Sequence, residues 1–339
     1  VTEGQRRPQA LLVMEPAHFE VQFQQAQLDR LDRLVGLADP ISTDELDSPA
    51  VRRRLHDVDF LLTSWGCPPL TAERLAAAPR LRAIFHCAGT VRPLITDEVW
   101  RRQLLVTNAA DENAIPVAEF TLAAIVFAGK KAPFLAQDAR KHRDDWSYVS
   151  QRGELTNRDR TIGVVGFSRV GRRVVDRLRT LDVTVLVSDP YADPARVAAA
   201  GARLVELPEL LRASDVLTLH VPALGSTRHL IGAAELALLR DGATVVNTAR
   251  GAVVDTAALE RECATGRLDA MLDVTDPEPL PADSILYDLP NVMITPHIAG
   301  SLGSETRRMS DSAIDEVERY LSGRPPRAAV TPDTLGMSA

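Results

Sequence analysis

The chain has 339 residues, 45% hydrophobic and 25% charged, which supplies apolar mass for two ordinary domains and excludes wholesale disorder. Its net charge of −7, from 39 basic and 46 acidic residues, leaves no broad basic field for wrapping nucleic acid or holding an anionic membrane. Cys67, Cys87 and Cys263 are scattered without metal-type spacing, which fits a reduced, cytoplasmic setting without a structural disulfide.

Residues 1–9 are polar, carry no apolar signal-peptide core and read as a tail. An apolar strand run covers 10–15, and leucines at 28, 31 and 34 set a helical period over 25–37. Strand runs at 60–63 and 81–85 flank a helical stretch at 70–78. After Pro116 a long helix is expected from 117 to about 140, with the proline at its start and Glu119 near its positive end. Its apolar run, 120–129, is too short to span a bilayer. Six short apolar segments follow, at 161–165, 184–188, 216–219, 244–247, 270–273 and 292–295. Helical patterns separate most of them, and the count matches a six-stranded doubly wound parallel sheet. A helix over about 304–321 comes next, and 324–339, with three prolines, reads as a loose extension. The fold class expected is α/β, with two units meeting at a break near 110–116.

The run 161–165 enters Gly166-Phe167-Ser168-Arg169-Val170-Gly171 and then a helix. This is a G-x-S-x-x-G turn where a dinucleotide fold wants G-x-G-x-x-G. Gly166 suits the sharp exit from the strand, Gly171 suits close helix–sheet packing, and the helix start offers N–H groups to a pyrophosphate. Ser168 replaces the middle glycine, where it either hydrogen-bonds phosphate oxygen or crowds the cofactor. Asp189 ends the next strand run, placed to accept the ribose hydroxyls of NAD and repel the 2′-phosphate of NADP, or simply to open a turn before Pro190. A serine-hydrolase elbow needs glycine where Val170 stands.

Three further polar groups follow successive strand runs: Arg250, the pair Asp273 and Glu278, and His297. Taken singly, each reads equally well as an ion-pair partner, a loop acid or a capped loop histidine. At strand ends they lie where open α/β sheets bind ligands.

The runs His220-Val-Pro-Ala-Leu-Gly-Ser-Thr-Arg-His-Leu-Ile, Asn247-Thr-Ala-Arg-Gly-Ala-Val-Val-Asp and Asp288-Leu-Pro-Asn-Val-Met-Ile-Thr-Pro-His-Ile-Ala-Gly together resemble the D-isomer-specific 2-hydroxyacid dehydrogenase family. The likeness is strong from about 163 to 300 and weaker back through Asn113–Glu119 to about Leu61. It implies two Rossmann-like doubly wound domains around a cleft. A discontinuous, flavodoxin-like substrate domain would comprise 1–113 plus 298–339, and an NAD-binding Rossmann domain 114–297. It also implies a homodimer acting on a small 2-oxo or D-2-hydroxy acid. His297 would be the general acid or base, Glu278 would orient it and favour its imidazolium form, and Arg250 would grip the carboxylate and polarise the carbonyl. NAD would meet Gly166, Ser168, Arg169, Val170, Gly171, Asp189, His220, Val221, Pro222, Thr227, Thr248, Ala249, Arg250, Asp273, His297 and Gly300, with Asp273 beside the carboxamide.

Backbone N–H groups of Ala88, Gly89 and Thr90 would hold the substrate carboxylate. The following Val91-Arg92-Pro93 departs from the family's Asp-Asn-Ile-Asp. Trp65 either walls the substrate pocket or fills the core, and Arg92 either adds charge recognition or is solvated. Within the class, glyoxylate or hydroxypyruvate reductase and phosphoglycerate dehydrogenase are alternatives. Outside it stands an NAD(H)-sensing, corepressor-like binding protein. His18, His56, His86, His142 and His229 show no ligand spacing, so no metal is expected.

Overall fold

Along β1 (Gln9–Val13) the side chains of Leu11 and Val13 enter one core and those of Ala10 and Leu12 another. The period-2 alternation of a strand buries both faces only when both are covered, as in a parallel sheet. The same split recurs in β3 (Phe60–Thr63) and β4 (Ala83–His86): Leu61 and Ile84 join Leu11, whereas Phe60, Leu62 and Phe85 join Leu12. Helix Thr306–Leu321 closes the second face with Ile314 and Val317.

The structure, a computed structural model, describes residues 6–337. It divides into one unit up to Asn113 resumed from Ser301 onward, and a second, Ala114–Gly300. With β2 (Gly36–Thr43) and β5 (Leu105–Thr107), the first holds five parallel strands in the order β2-β1-β3-β4-β5.

Two of these strands, β2 (Gly36–Thr43) and β5 (Leu105–Thr107), escape the sequence reading. β2 contains Asp39-Pro40, which an edge strand tolerates because its outer N–H needs no partner. β5 has too few residues to show a period. The expected loose extension after the last long helix is also corrected. Thr107 pairs antiparallel with Ala329, Val330 N–H donates to the Val106 carbonyl at 2.8 Å, and Val330 enters the core. This short segment covers the β5 edge, which would otherwise expose unpaired backbone. Residues 6–8 of the expected leading tail are held in part by Arg6, whose guanidinium meets Asp59 at 2.9 Å; residues 1–5 lie outside the described residues.

The second unit holds seven parallel strands: β6 (Arg160–Val165), β7 (Val183–Ser188), β8 (Arg203–Leu204), β9 (Val216–Leu219), β10 (Thr244–Asn247), β11 (Asp269–Leu272) and β12 (Val292–Ile294). Their order, β12-β11-β10-β9-β6-β7-β8, reverses direction at β6, so the end of β6 is a topological switch point. The seventh strand, β8, is two residues long and carries no pattern that a sequence could show.

The helix expected from 117 begins earlier and ends earlier. Helix Ala110–Gly129 contains Pro116, with Asp111 and Glu112 complementing the dipole in its first turn. It breaks at Lys131, which is left-handed at φ 50°, and helix Ala132–Lys141 follows. At 20 residues, Ala110–Gly129 has the length and composition of a membrane span, more than the apolar run alone suggested. Half of that window is buried, and Ala118, Ala124, Ile125 and Ala128 pack into the second unit's core.

Candidate functional site

β6 delivers Gly166 at φ 96°, where a Cβ would stand 2.9 Å from the His220 carbonyl. At Gly171 a Cβ would stand 2.0 Å from the Gly166 oxygen. Both positions therefore require glycine, and helix Arg169–Leu178 starts directly against the strand exit. Ser168 is the N-cap: its Oγ accepts from Gly171 N–H at 3.3 Å. The middle-glycine substitution thus spends its hydroxyl on the helix start, and Gly171 N–H is no longer free for an anion. Asp189 accepts from Phe167 N–H and Tyr191 N–H, both at 2.8 Å, which ties the acid after β7 to the phosphate-type loop after β6.

His220, named from its motif as cofactor-lining, is 4% exposed and lies beneath the two glycines with Nε2 3.0 Å from Thr218 Oγ1. Thr227 Oγ1 donates to the Pro222 carbonyl at 2.5 Å and so closes the loop holding Val221 and Pro222. Thr248 is also buried, its hydroxyl 2.8 Å from that of Thr121.

The polar constellation follows three neighbouring strands, β10, β11 and β12. His297 Nδ1 lies 2.6 Å from Glu278 Oε1. Burial lowers the Arg250 pKa, and the Glu278 charge opposes that shift. His297 sits at φ 53°, a conformation that a histidine holds only when its surroundings impose it.

Asp273 imposes it. Its carbonyl accepts His297 N–H at 2.9 Å, and its carboxylate accepts Ile298 N–H at 2.8 Å, Ala299 N–H at 2.9 Å and the Thr295 hydroxyl at 2.6 Å. The sequence reading set Asp273 beside the carboxamide; the structure commits both of its oxygens to the loop carrying His297.

In the first unit, Ala88 is fully buried, and among the described residues no acceptor meets the backbone N–H groups of Ala88, Gly89 and Thr90. Gly89 and Thr90 are half-buried, so of these three donors only that of Ala88 belongs to a buried residue. Trp65 follows β3, tilted at 53° on His18 with ring centroids 5.1 Å apart. Arg92 Nη2 donates to the Leu335 carbonyl at 2.5 Å.

Sequence reasoning missed His86 and His220 as buried polar groups, since a lone histidine in an apolar run has no spacing to betray it. Burial holds His86 at about 4 and His220 at about 3. Both folded values lie below the ordinary 6.5. Stability is therefore complete above pH 6.5 and falls as acid protonates only the unfolded chain, by about 1.4 kcal/mol per pH unit for each ring. Urea unfolding at pH 7 and 5 should show this loss, and His220→Gln should shrink it; an unchanged pH slope refutes the assignment.

The described residues contain no group of three or more His, Cys, Asp or Glu able to hold a metal. The family model for the D-isomer specific 2-hydroxyacid dehydrogenase NAD binding domain matches residues 122–299. D-3-phosphoglycerate dehydrogenase of Archaeoglobus fulgidus is 34% identical over 260 residues, 76% of this chain and 49% of that protein. The chain thus spans about half the length of the phosphoglycerate dehydrogenases it matches. (S)-Sulfolactate dehydrogenase of Chromohalobacter salexigens is 35% identical over 255 residues, 74% of this chain and 81% of that protein. The solved apo structure of Rhodotorula graminis D-mandelate dehydrogenase shares the fold, with a TM-score of 0.81 at 22% identity, covering 96% of this chain and 98% of that one.

Proposed function

Because this chain belongs to the D-isomer-specific 2-hydroxyacid dehydrogenase family, we propose that it is an NAD-dependent oxidoreductase interconverting a small 2-oxo acid and its D-2-hydroxy acid. The observation that carries this reading is the 2.6 Å contact of His297 with Glu278, on strand ends beside Arg250. The cradle fits the cofactor: two positions admit no Cβ, a helix starts at the strand exit, and a carboxylate stands where a ribose would bind.

When bound, the nicotinamide supplies or takes up the hydride. The protein's residues manage the proton and the anion. Glu278 accepts from His297 Nδ1–H, which fixes the tautomer and aims Nε2 outward to give a proton to the forming alkoxide or take it back. Arg250 grips the substrate's carboxylate and carbonyl oxygens with its fork. Backbone N–H groups of Ala88, Gly89 and Thr90 serve as carboxylate donors, and Trp65 serves as a wall for the substrate's substituent. Gly166, Ser168, Arg169, Val170 and Gly171 take the pyrophosphate side, with Val221, Pro222, Ala249 and Gly300 along the crevice. The proposed setting is the cytoplasm, which the scattered cysteines support, and the proposed assembly is a homodimer, which the family likeness supports.

Loss of reduced-nicotinamide absorbance with a panel of 2-oxo acids tests the reading. Turnover of at least one acid supports it, and glyoxylate, hydroxypyruvate and phosphohydroxypyruvate in the panel separate the alternatives within the class. NADH binding without any turnover moves the chain to the NAD(H)-sensing reading instead.

Asp189→Asn should raise the ratio of kcat/KM with NADPH to that with NADH by on the order of tenfold, about 1.4 kcal/mol, because it removes a charge that repels the 2′-phosphate. Asparagine keeps an acceptor for one of the two loop N–H groups. An unchanged ratio removes Asp189 from cofactor selection.

A further inference from the structure

Trp65 carries a large ring that the fold does not use as filler. Among the described residues it joins no apolar core, whereas Trp100 packs against the core of Leu11 and Val13. It is half-buried, and its ring neighbour is the half-buried His18, tilted at 53° with centroids 5.1 Å apart. Trp65 lies two residues past Thr63 at the end of β3, and Ala88 lies two residues past His86, the register partner of Thr63 in β4. Ser64 Oγ donates to the Cys87 carbonyl at 3.4 Å, so the two stretches stay adjacent beyond that register pair. Parallel neighbours run about 4.8 Å apart, which sets Trp65 beside the loop 88–90.

The other neighbour of β3 supplies an acid. Val13 of β1 pairs with Thr63, and Glu15 N–H, two residues on, donates to the Trp65 carbonyl at 3.1 Å. The Glu15 side chain crosses Gly66, which sits at φ 83° and whose Cβ, if it had one, would stand 2.3 Å from Glu15 Cγ. The carboxylate is exposed, and its Oε2 lies 3.6 Å from His18 Nε2. A charge on His18 therefore faces Glu15 before it faces a ligand. Three adjacent strand ends thus present, side by side, a carboxylate, an aromatic pair and the backbone loop.

We propose that Glu15, His18 and Trp65 form the substituent site of this loop and select a 2-oxo acid with an uncharged aromatic substituent. This rests on the reading of 88–90 as the carboxylate site. An aryl group stacks on the Trp65–His18 pair, where it buries apolar surface and gains ring contacts. Glu15 repels a second anion on the substrate. A phosphate carries nearly two charges at neutral pH, so it feels that repulsion about twice as strongly as a monoanion does. Of the acids in the panel, phosphohydroxypyruvate is thereby disfavoured.

The test compares phenylpyruvate, phosphohydroxypyruvate and glyoxylate, which has hydrogen in place of a substituent. Each is read twice: as kcat/KM, and as affinity for the NADH-loaded protein by NADH fluorescence. Phenylpyruvate should exceed phosphohydroxypyruvate by at least about tenfold. Glu15→Gln, a change on an exposed side chain, should raise the ratio of phosphohydroxypyruvate to phenylpyruvate by roughly tenfold. Trp65→Leu should lower the ratio of phenylpyruvate to glyoxylate by a similar factor. A merely structural role moves all three acids together and leaves both ratios fixed. Should Trp65→Leu not fold, Glu15→Gln carries the test.

Equal use of phosphohydroxypyruvate and phenylpyruvate by the unaltered chain overturns the proposal, as does an unmoved ratio in a folded variant. Binding without turnover leaves the affinity ratios to decide it. If the unaltered chain binds NADH but none of the acids, glyoxylate included, the carboxylate reading itself falls, a result separate from any effect of the variants.

Discussion

Replacing His297 with alanine should lower kcat for 2-oxo acid reduction by roughly 10²–10⁴-fold, the usual worth of a positioned proton donor. The imidazole alone among the three polar groups can give and regain a proton, because Arg250 stays charged and Glu278 is engaged with Nδ1. Affinity for NADH should change little, since the phosphate and ribose elements lie after β6 and β7. The backbone needs its own control: His297 is left-handed at φ 53°. Asparagine tolerates that conformation better than alanine, so His297→Asn separates loss of the donor from collapse of the loop. A fall in both variants identifies the proton donor. A loss under about tenfold in either would remove His297 from the role.

Lys131→Met should destabilise the second unit by about 3–5 kcal/mol, as expected when one partner of a buried ion pair is deleted. Lys131 Nζ donates to Asp269 Oδ2 at 2.5 Å, the Gly242 carbonyl at 2.6 Å and Thr244 Oγ1 at 2.9 Å, so all three ammonium protons are used. Methionine keeps the apolar stem and strands the carboxylate at the start of β11. Burial already raises the Asp269 pKa, with Lys131 the first opposing charge. Without Lys131 the raised folded-state value means stability is retained in acid and lost as pH rises through it. Urea unfolding should show a deficit that shrinks at low pH and is partly repaired by Asp269→Asn in the same chain. A variant as stable as the unaltered protein at neutral pH would refute the pair's role.

The pair also shows what sequence conceals. Lys131 follows a helix that its neighbours continue, and nothing local says that the chain turns left-handed there to bury an ammonium. Asp269 belongs to a segment whose apolar run begins one residue later. β8 and β5 are too short to carry a period, and β2 is a polar edge strand with a proline.

By contrast, β6, β9, β10 and the phosphate-type turn could be read directly, because period and punctuation are properties of neighbouring residues. The identities of Arg250, Glu278 and His297 were equally legible, since each follows a strand run where parallel α/β sheets place ligand groups. Only the tertiary structure decided how they are used. Ser168 turned out to cap a helix, Asp273 to shape the loop under His297, and His86 and Gln22 to lie buried, with Gln22 Nε2 on the Cys87 carbonyl. Those assignments depend on which N–H and C=O groups meet across strands far apart in sequence, and such partners are fixed only when the chain is folded.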